Sequence, residues 1–325
     1  VSHDTIGRDE ELGRLVGALR RADLAGVVLT GEAGIGKTHL LDVGLDRAAS
    51  AGFAIVRITG SRALADLPLA AFAPFLPARL AGDVTDLVTL RTVLRDRADG
   101  RPMVLGVDDA HLLDDASAAM VHQLAADLSV FVMGTVRTGA VPPDAITALW
   151  KDRLVDRLPV GPLDRDAIAA VAAAAAGAPL DPAAADELAR RSDGNPLFAR
   201  ELLHTAIDTG ALVLRDGTYV SEGVWTAPAS INELLGARLA GLDELERHAV
   251  GLLAFGGALD VDLLEELVDP DALVRLETAR LIVAEERGDR LEIRFAHPLH
   301  ADAVRHTTGR LVARRLQREL ADALE

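Results

Sequence analysis

The chain has 325 residues, room for two or three packed units, and with 50% hydrophobic and 26% charged residues it excludes wholesale disorder. Its 34 basic against 50 acidic residues give a net charge of -16, which disfavours a polyphosphate backbone as partner. No cysteine is present, so disulfides, thiolate zinc sites and a cysteine nucleophile are excluded, and 3% aromatic residues leave little for base stacking.

In chain order, short β-branched runs predict strands at Gly26–Thr30, Ala54–Thr59, Met103–Asp108, Val130–Thr135 and Leu154–Leu158. Between them, Leu40–Ala49, Leu87–Ala98, Ala116–Leu128 and Pro143–Trp150 repeat their apolar residues at helical spacing. Strands separated by helices imply an α/β fold: a parallel sheet covered on both faces. Residues 64–82, with Pro68, Pro74 and Pro77, read as an irregular insertion.

After Pro162 the pattern turns helical. Asp164–Ala176, Pro182–Arg191 and Pro196–Thr209 each begin with Asp or Pro, followed by a hairpin, Ala211–Leu214 and Thr218–Ser221, across Arg215-Asp216-Gly217. Helices are expected at Ile231–Ala240 and Glu244–Ala254. Residues 259–308 read as two helices, a strand, a turn at Arg287-Gly288-Asp289-Arg290, a strand and a helix, an order that suits a winged helix. The amphipathic stretch Arg310–Leu324 closes the chain. The longest apolar stretch, Ala167–Leu180, is alanine-rich, broken by Gly177 and Pro179, and too short to span a bilayer. Nothing near Val1 resembles a signal peptide. A cytoplasmic location, without membrane partners, is the expectation, and Val1 reads as a trimmed start.

Gly31-Glu32-Ala33-Gly34-Ile35-Gly36-Lys37-Thr38 fits the phosphate-loop pattern in full, after a predicted strand and before a helix. Glycines let backbone N–H groups turn inward around anionic oxygens, and the following helix points its positive end at them. Gly31, Ala33, Gly34, Ile35, Gly36, Lys37, Thr38 and His39 are the expected nucleotide-binding positions. Lys37 would reach the β- and γ-phosphates of ATP, and the Thr38 hydroxyl would complete a Mg²⁺ shell.

The partner acid belongs at the end of another strand. Met103–Val107 leads into Asp108-Asp109. Asp108 would hold Mg²⁺ through water, and Asp109 would orient or deprotonate the attacking water. His111 and Asp114 read as a solvated helix entry, with a functional role as the alternative. A third strand, ending in Val136-Arg137, would bring Arg137 near the γ-phosphate if it lies between the other two.

These segments resemble the nucleotide-binding module of STAND-class signalling ATPases, and more narrowly the large ATP-binding LuxR-type (MalT-like) bacterial transcriptional regulators. The carrying residues are Ile6-Gly7-Arg8-Asp9-Glu10-Glu11-Leu12, the phosphate loop, Val107–Ser117, Gly194-Asn195-Pro196-Leu197-Phe198-Ala199-Arg200-Glu201-Leu202 and Phe295-Ala296-His297-Pro298-Leu299. The resemblance implies a P-loop ATPase core over 1–162, a helical lid over 163–257 and a winged helix with terminal helix over 258–325. It also implies that Ile6, Gly7 and Arg8 lie along the adenine and ribose, that Pro196 packs on the base, and that His297 approaches the β-phosphate of ADP. The residues themselves also allow plainer roles: Arg8 paired with Asp9 or Glu11, Pro196 as a first-turn helix proline, His297 as a helix-entry residue.

Two departures stand out. The family's helical-repeat sensor and DNA-binding helix-turn-helix are absent, so the chain reads as a fragment whose inducer and DNA contacts lie in missing regions. Val136 also replaces a residue that is often small and polar beside Arg137. The implied function is an ATP/ADP switch with slow ATP hydrolysis that controls transcription, with possible ATP-dependent self-association. The alternative is an oligomeric AAA-type motor or loader. Arg310, Arg314, Arg315 and Arg318 form a basic stretch read as a solvated face, or a face packed against missing C-terminal repeats, rather than a DNA contact.

Overall fold

The computed structural model describes residues 5–21, 23–75, 87–226, 239, 241–279, 281–287 and 290–324. The chain divides into two compact units, Val1–Pro162 and Leu163–Glu325.

The first unit is built on five parallel strands: β1 (Gly26–Gly31), β2 (Ala54–Thr59), β3 (Met103–Asp108), β4 (Phe131–Arg137) and β5 (Val155–Pro159), in the order β2-β3-β4-β1-β5. All residues of β1 and β3 are buried, as expected for strands covered on both faces. Alternate side chains serve opposite layers. Val28, Leu105 and Val132 face a core with Leu90, Leu94, Val121, Leu124, Ile146 and Leu149. These come from helices α3 (Leu87–Ala98), α4 (Asp115–Ala126) and α5 (Asp144–Lys151). Val27, Leu29, Val104 and Met133 face the other layer, with Leu12, Leu15, Leu40, Leu41 and Leu45 from α1 (Asp9–Ala18) and α2 (Lys37–Ser50). Helix α2 lies so close to the sheet that a Cβ on Gly106 would sit 2.7 Å from a methyl carbon of Leu45.

The predicted strands and helices of this unit all form, within a few residues of the expected bounds. Helix α1 is additional, and its signal lies in Leu12, Leu15 and Ala18 on one face and three acids in its first turn. The expected insertion contains more order than its prolines suggest. Ala70–Phe75 is a 3₁₀ segment, and Phe72 is fully buried in the core with Leu90 and Leu124; residues 76–82 of the insertion lie outside the described residues.

The second unit opens with α6 (Arg165–Ala176), α7 (Pro182–Ser192) and α8 (Pro196–Asp208). The side chains of Asp164, Asp181 and Asn195 cap their first turns. Strands β6 (Leu212–Arg215) and β7 (Thr218–Ser221) pair across Asp216-Gly217, both at positive φ as a tight hairpin turn requires. Helix α9 (Glu244–Gly256) starts with a full capping box between Asp243 and Glu246. It is followed by β8 (Leu259–Asp260), α10 (Val261–Leu267), α11 (Pro270–Thr278), β9 (Ile282–Arg287), β10 (Arg290–Phe295), α12 (Pro298–Thr307) and α13 (Arg310–Leu324). The three strands form an antiparallel sheet ordered β8-β10-β9; the short β8 escaped the sequence reading.

Helix α9 packs into the core of the elements that follow it. Val250, Leu252 and Leu253 share one core with Leu264, Leu276, Ile293, Phe295, Leu316 and Leu320, so this core begins before residue 258. The helix expected at Ile231–Ala240 and the tip of the β9–β10 turn, 288–289, lie outside the described residues apart from Leu239.

Truncating Phe72 removes a fully buried ring from a segment with little periodic structure of its own. Phe72→Ala is expected to lower unfolding stability by about 3–5 kcal/mol, read as a lower urea midpoint.

Candidate functional site

The site lies at the carboxyl ends of β1, β3 and β4, where the strand order reverses and an open parallel sheet places its ligands. Strand β4 runs between β1 and β3, and its register sets Arg137 beside Gly31. The Thr138 N–H then donates to the Gly31 carbonyl at 2.9 Å.

From Gly31 the backbone turns through residues 32–36 into α2. Gly34 and Gly36 take φ of 77° and 100°, where a side chain is strained. A Cβ on Gly31 would lie 2.7 Å from the Val160 carbonyl oxygen. Gly36 caps α2 without any side-chain hydrogen bond, so the helix start keeps its N–H groups turned to the loop. Lys37 is 7% exposed, and its Nζ reaches back to donate to the Glu32 carbonyl at 2.7 Å. Burial lowers its pKa; Asp109 and Asp108 oppose the shift, and Arg137 adds to it.

Asp108 is the hub. Its Oδ1 accepts from the Thr38 hydroxyl at 3.1 Å and from the Thr135 hydroxyl at 2.8 Å. The Thr135 hydroxyl in turn accepts the Asp109 N–H at 2.8 Å. Oδ2 pairs with Arg57 Nη2 at 3.0 Å, while Arg57 Nη1 meets Asp42 of α2 at 2.6 Å. Asp108 is 5% exposed, so these partners are what keep its charge in the interior.

A hydroxyl and a carboxylate 3.1 Å apart form a hard-oxygen pair suited to Mg²⁺. Among the described residues no group of three or more His, Cys, Asp or Glu could hold a metal. Thr38 and Asp108 would supply oxygens to an ion that otherwise keeps waters and phosphate oxygens.

The next residue, Asp109, takes φ 48° with its carboxylate half exposed. His111, on the 3₁₀ turn Ala110–Leu112, is not the solvated residue expected: its side chain is 8% exposed, with Nδ1 3.9 Å from Asp109 Oδ1. Burial lowers its pKa; Asp109 opposes, and Lys37, Arg137 and Arg62 add to the shift. Asp114 does start α4, but it too is buried, and its Oδ1 accepts from Ser117 N at 2.8 Å and Leu69 N at 2.9 Å. Arg137 is half-buried, and its guanidinium has no hydrogen bond or ion pair among the described residues.

The structure thus gathers Lys37, Thr38, Asp108, Asp109 and Arg137, while His39 sits exposed one step along α2. Ile6 and Gly7 lie half-buried and exposed just before α1. Arg8, 7% exposed, pairs with Glu11 at 2.8 Å and donates to the carbonyls of Ile35 at 3.1 Å and Gly161 at 2.6 Å. Its guanidinium is therefore engaged by protein groups, Glu11 among them. Pro196 and His297 belong to the second unit. Pro196 occupies the first turn of α8 behind the Asn195 cap. His297 Nε2 lies 3.1 Å from the Ser192 carbonyl, and its ring meets Phe198 edge-on at 4.6 Å. The sequence reading missed Arg57 and Thr135. Their only signals were a charge inside an apolar strand and a hydroxyl at a strand's buried end.

Residues 5–133 match the AAA ATPase domain family. This unit has the α/β P-loop NTPase fold, with a five-stranded parallel sheet. The chain is 35% identical over 143 residues to the AAA+ ATPase ClpV1 of Pseudomonas aeruginosa, covering 42% of this chain and 15% of that protein. It is 33% identical over 193 residues to the Holliday junction branch migration complex subunit RuvB of an Anaeromyxobacter species, covering 53% of this chain and 54% of that protein. The chain thus spans about half or less of the curated relatives it matches. Among solved structures, a STAND protein with a tetratricopeptide repeat sensor from Pyrococcus horikoshii aligns over 97% of this chain and 44% of its own, at 18% identity and a TM-score of 0.41. RuvB of Thermotoga maritima aligns over 87% and 91%, at 19% identity and a TM-score of 0.47. No described helix is long and apolar enough to cross a membrane.

The first unit carries a pH signature at His111. Its folded pKa lies below the ordinary 6.5, so the unfolded chain binds that proton more tightly. The associated stability is intact above pH 6.5 and is lost as pH falls from there through the folded pKa. His111→Leu is expected to flatten this part of the stability profile, read from urea midpoints between about pH 5 and 7.5.

Proposed function

We propose that the chain is the ATP/ADP-binding switch of a signal-responsive bacterial transcriptional regulator, hydrolysing ATP slowly to reset itself. The observation that carries the nucleotide part is the hydroxyl–carboxylate chain Thr38–Asp108–Thr135 beside Lys37. Mg²⁺, when bound, would neutralise charge on the phosphates and orient them. The chain's own groups do the rest. Loop amides and Lys37 hold the β- and γ-phosphates, and Thr38 and Asp108 face the ion. Asp109 orients the attacking water and takes its proton, and Arg137 stabilises charge on the γ-phosphate.

The regulatory part is supported by the resemblance of Ile6–Leu12, Val107–Ser117, Gly194–Leu202 and Phe295–Leu299 to the STAND regulators. It also draws on the second unit, where His297 joins the start of α12 to Ser192 and Phe198. Pro196 and His297 therefore ride on one body, as a residue pair that reads ADP against ATP requires. The inducer and the DNA would be bound by regions outside this chain. A second reading, an oligomeric motor, is favoured by the RuvB likeness, 33% identity over 53% of the chain. Hydrolysis that is fast and rises with protein concentration supports the motor; slow turnover with ADP retained on purification supports the switch.

Lys37→Ala is expected to abolish binding of a fluorescent adenine nucleotide, and unchanged affinity would defeat the whole reading. Asp109→Asn should keep ADP and lose about 10²–10⁴-fold in turnover. His297→Ala tests whether His297 helps to hold ADP: weaker ADP retention supports this, whereas lowered thermal stability with parental ADP affinity assigns His297 to packing alone.

A further inference from the structure

Asp109 is held at its backbone, while its carboxylate is half exposed. Its N–H donates to the Thr135 hydroxyl, its carbonyl accepts the Leu112 N–H at 2.8 Å, and the preceding Asp108 carbonyl accepts the Gly60 N–H at 2.8 Å. The turn is seated so tightly on Gly60 that a Cβ there would lie 2.2 Å from the Asp109 carbonyl oxygen. At φ 48° the residue occupies a left-handed conformation that Asp tolerates better than most but still at a cost. A backbone fixed in a costly conformation beneath a half-exposed carboxylate leaves that carboxylate to be oriented by a neighbouring group.

The candidate is one turn away. His111 Nδ1 is buried and has no hydrogen-bond partner among the described residues, and a buried polar nitrogen left so costs free energy that asks for an explanation. The nearby carboxylate is Asp109, whose Oδ1 stands 3.9 Å off, just beyond hydrogen-bond range. The other charged groups facing the ring are Lys37, Arg137 and Arg62, all cations; they and burial keep the imidazole neutral, with one nitrogen carrying a proton.

We infer that His111 is a positioning residue: its Nδ1–H closes on one oxygen of Asp109 and turns the other toward the water that attacks ATP. This rests on the hydrolytic reading above and names the residue that makes Asp109 effective. In the step itself the water oxygen bonds to the γ-phosphorus. The bond from that phosphorus to the β,γ-bridging oxygen breaks, its electron pair leaving on ADP. The water proton passes to Asp109 and then to the departing phosphate. His111 exchanges no proton; it fixes an angle.

The test compares kcat, KM for ATP and ADP affinity in the full chain for the parent, His111→Asn, His111→Leu and His111→Gln. Asn carries its amide nitrogen where Nδ1 lies, Gln where Nε2 lies, and Leu offers neither. His111→Leu and His111→Gln should lose about 10- to 100-fold in kcat with KM and ADP affinity within about twofold, while His111→Asn stays near the parent. Gln serves in place of Leu if the Leu variant does not fold. Parental kcat in Gln or Leu overturns the inference, as does an equal loss in all three, which would assign His111 to packing. A parent that binds ADP yet turns over no ATP overturns the hydrolytic reading, and this inference with it.

Discussion

The site depends on one buried carboxylate. Asp108 leaves water almost entirely, and a charge so placed persists only if its neighbours replace the lost solvation. Two hydroxyls and a guanidinium do so, and they come from three elements, Thr38 from α2, Thr135 from β4 and Arg57 from β2, joined on Asp108 of β3. Satisfying one charge therefore fixes the mutual placement of helix and strands at the carboxyl end of the sheet. The same bonds leave Oδ1 beside the Thr38 hydroxyl, two hard oxygens side by side.

Strand order makes this possible. With β4 between β1 and β3, the Thr135 hydroxyl reaches Asp108 on one side while Arg137 stands level with Gly31 on the other. A sheet with β4 at the edge would separate these groups by at least one more strand spacing, about 4.8 Å. The apolar layers above and below hold the strands rigid, so that polar groups at their ends are presented with little freedom.

Much of this was legible in the residues. Continuous buried runs such as Met103–Val107 announced central strands, and the helices between them repeat their leucines at the spacing the core needs. The phosphate loop was readable because its chemistry is local: glycines at positive φ, then Lys37 and Thr38, all within one turn. Groups brought together from distant segments were not. Arg57 finds Asp108 only through the pairing of β2 with β3, and Thr135 only through the register of β4. Phe72 hid among prolines because an irregular segment carries no period. His111 was misread as solvated because a 3₁₀ turn, invisible in the pattern, tucks its ring inward.

Arg8 gives the loop a mechanical property. Its planar guanidinium bonds at once to the Ile35 carbonyl within the phosphate loop and to the Gly161 carbonyl, where the polypeptide leaves the sheet. Both bonds use the same nitrogen, so neither oxygen can shift by much without dragging or surrendering the other. Any ligand that reshapes the loop is thereby felt within a few ångströms of the connector, through a short lever installed near the chain's beginning.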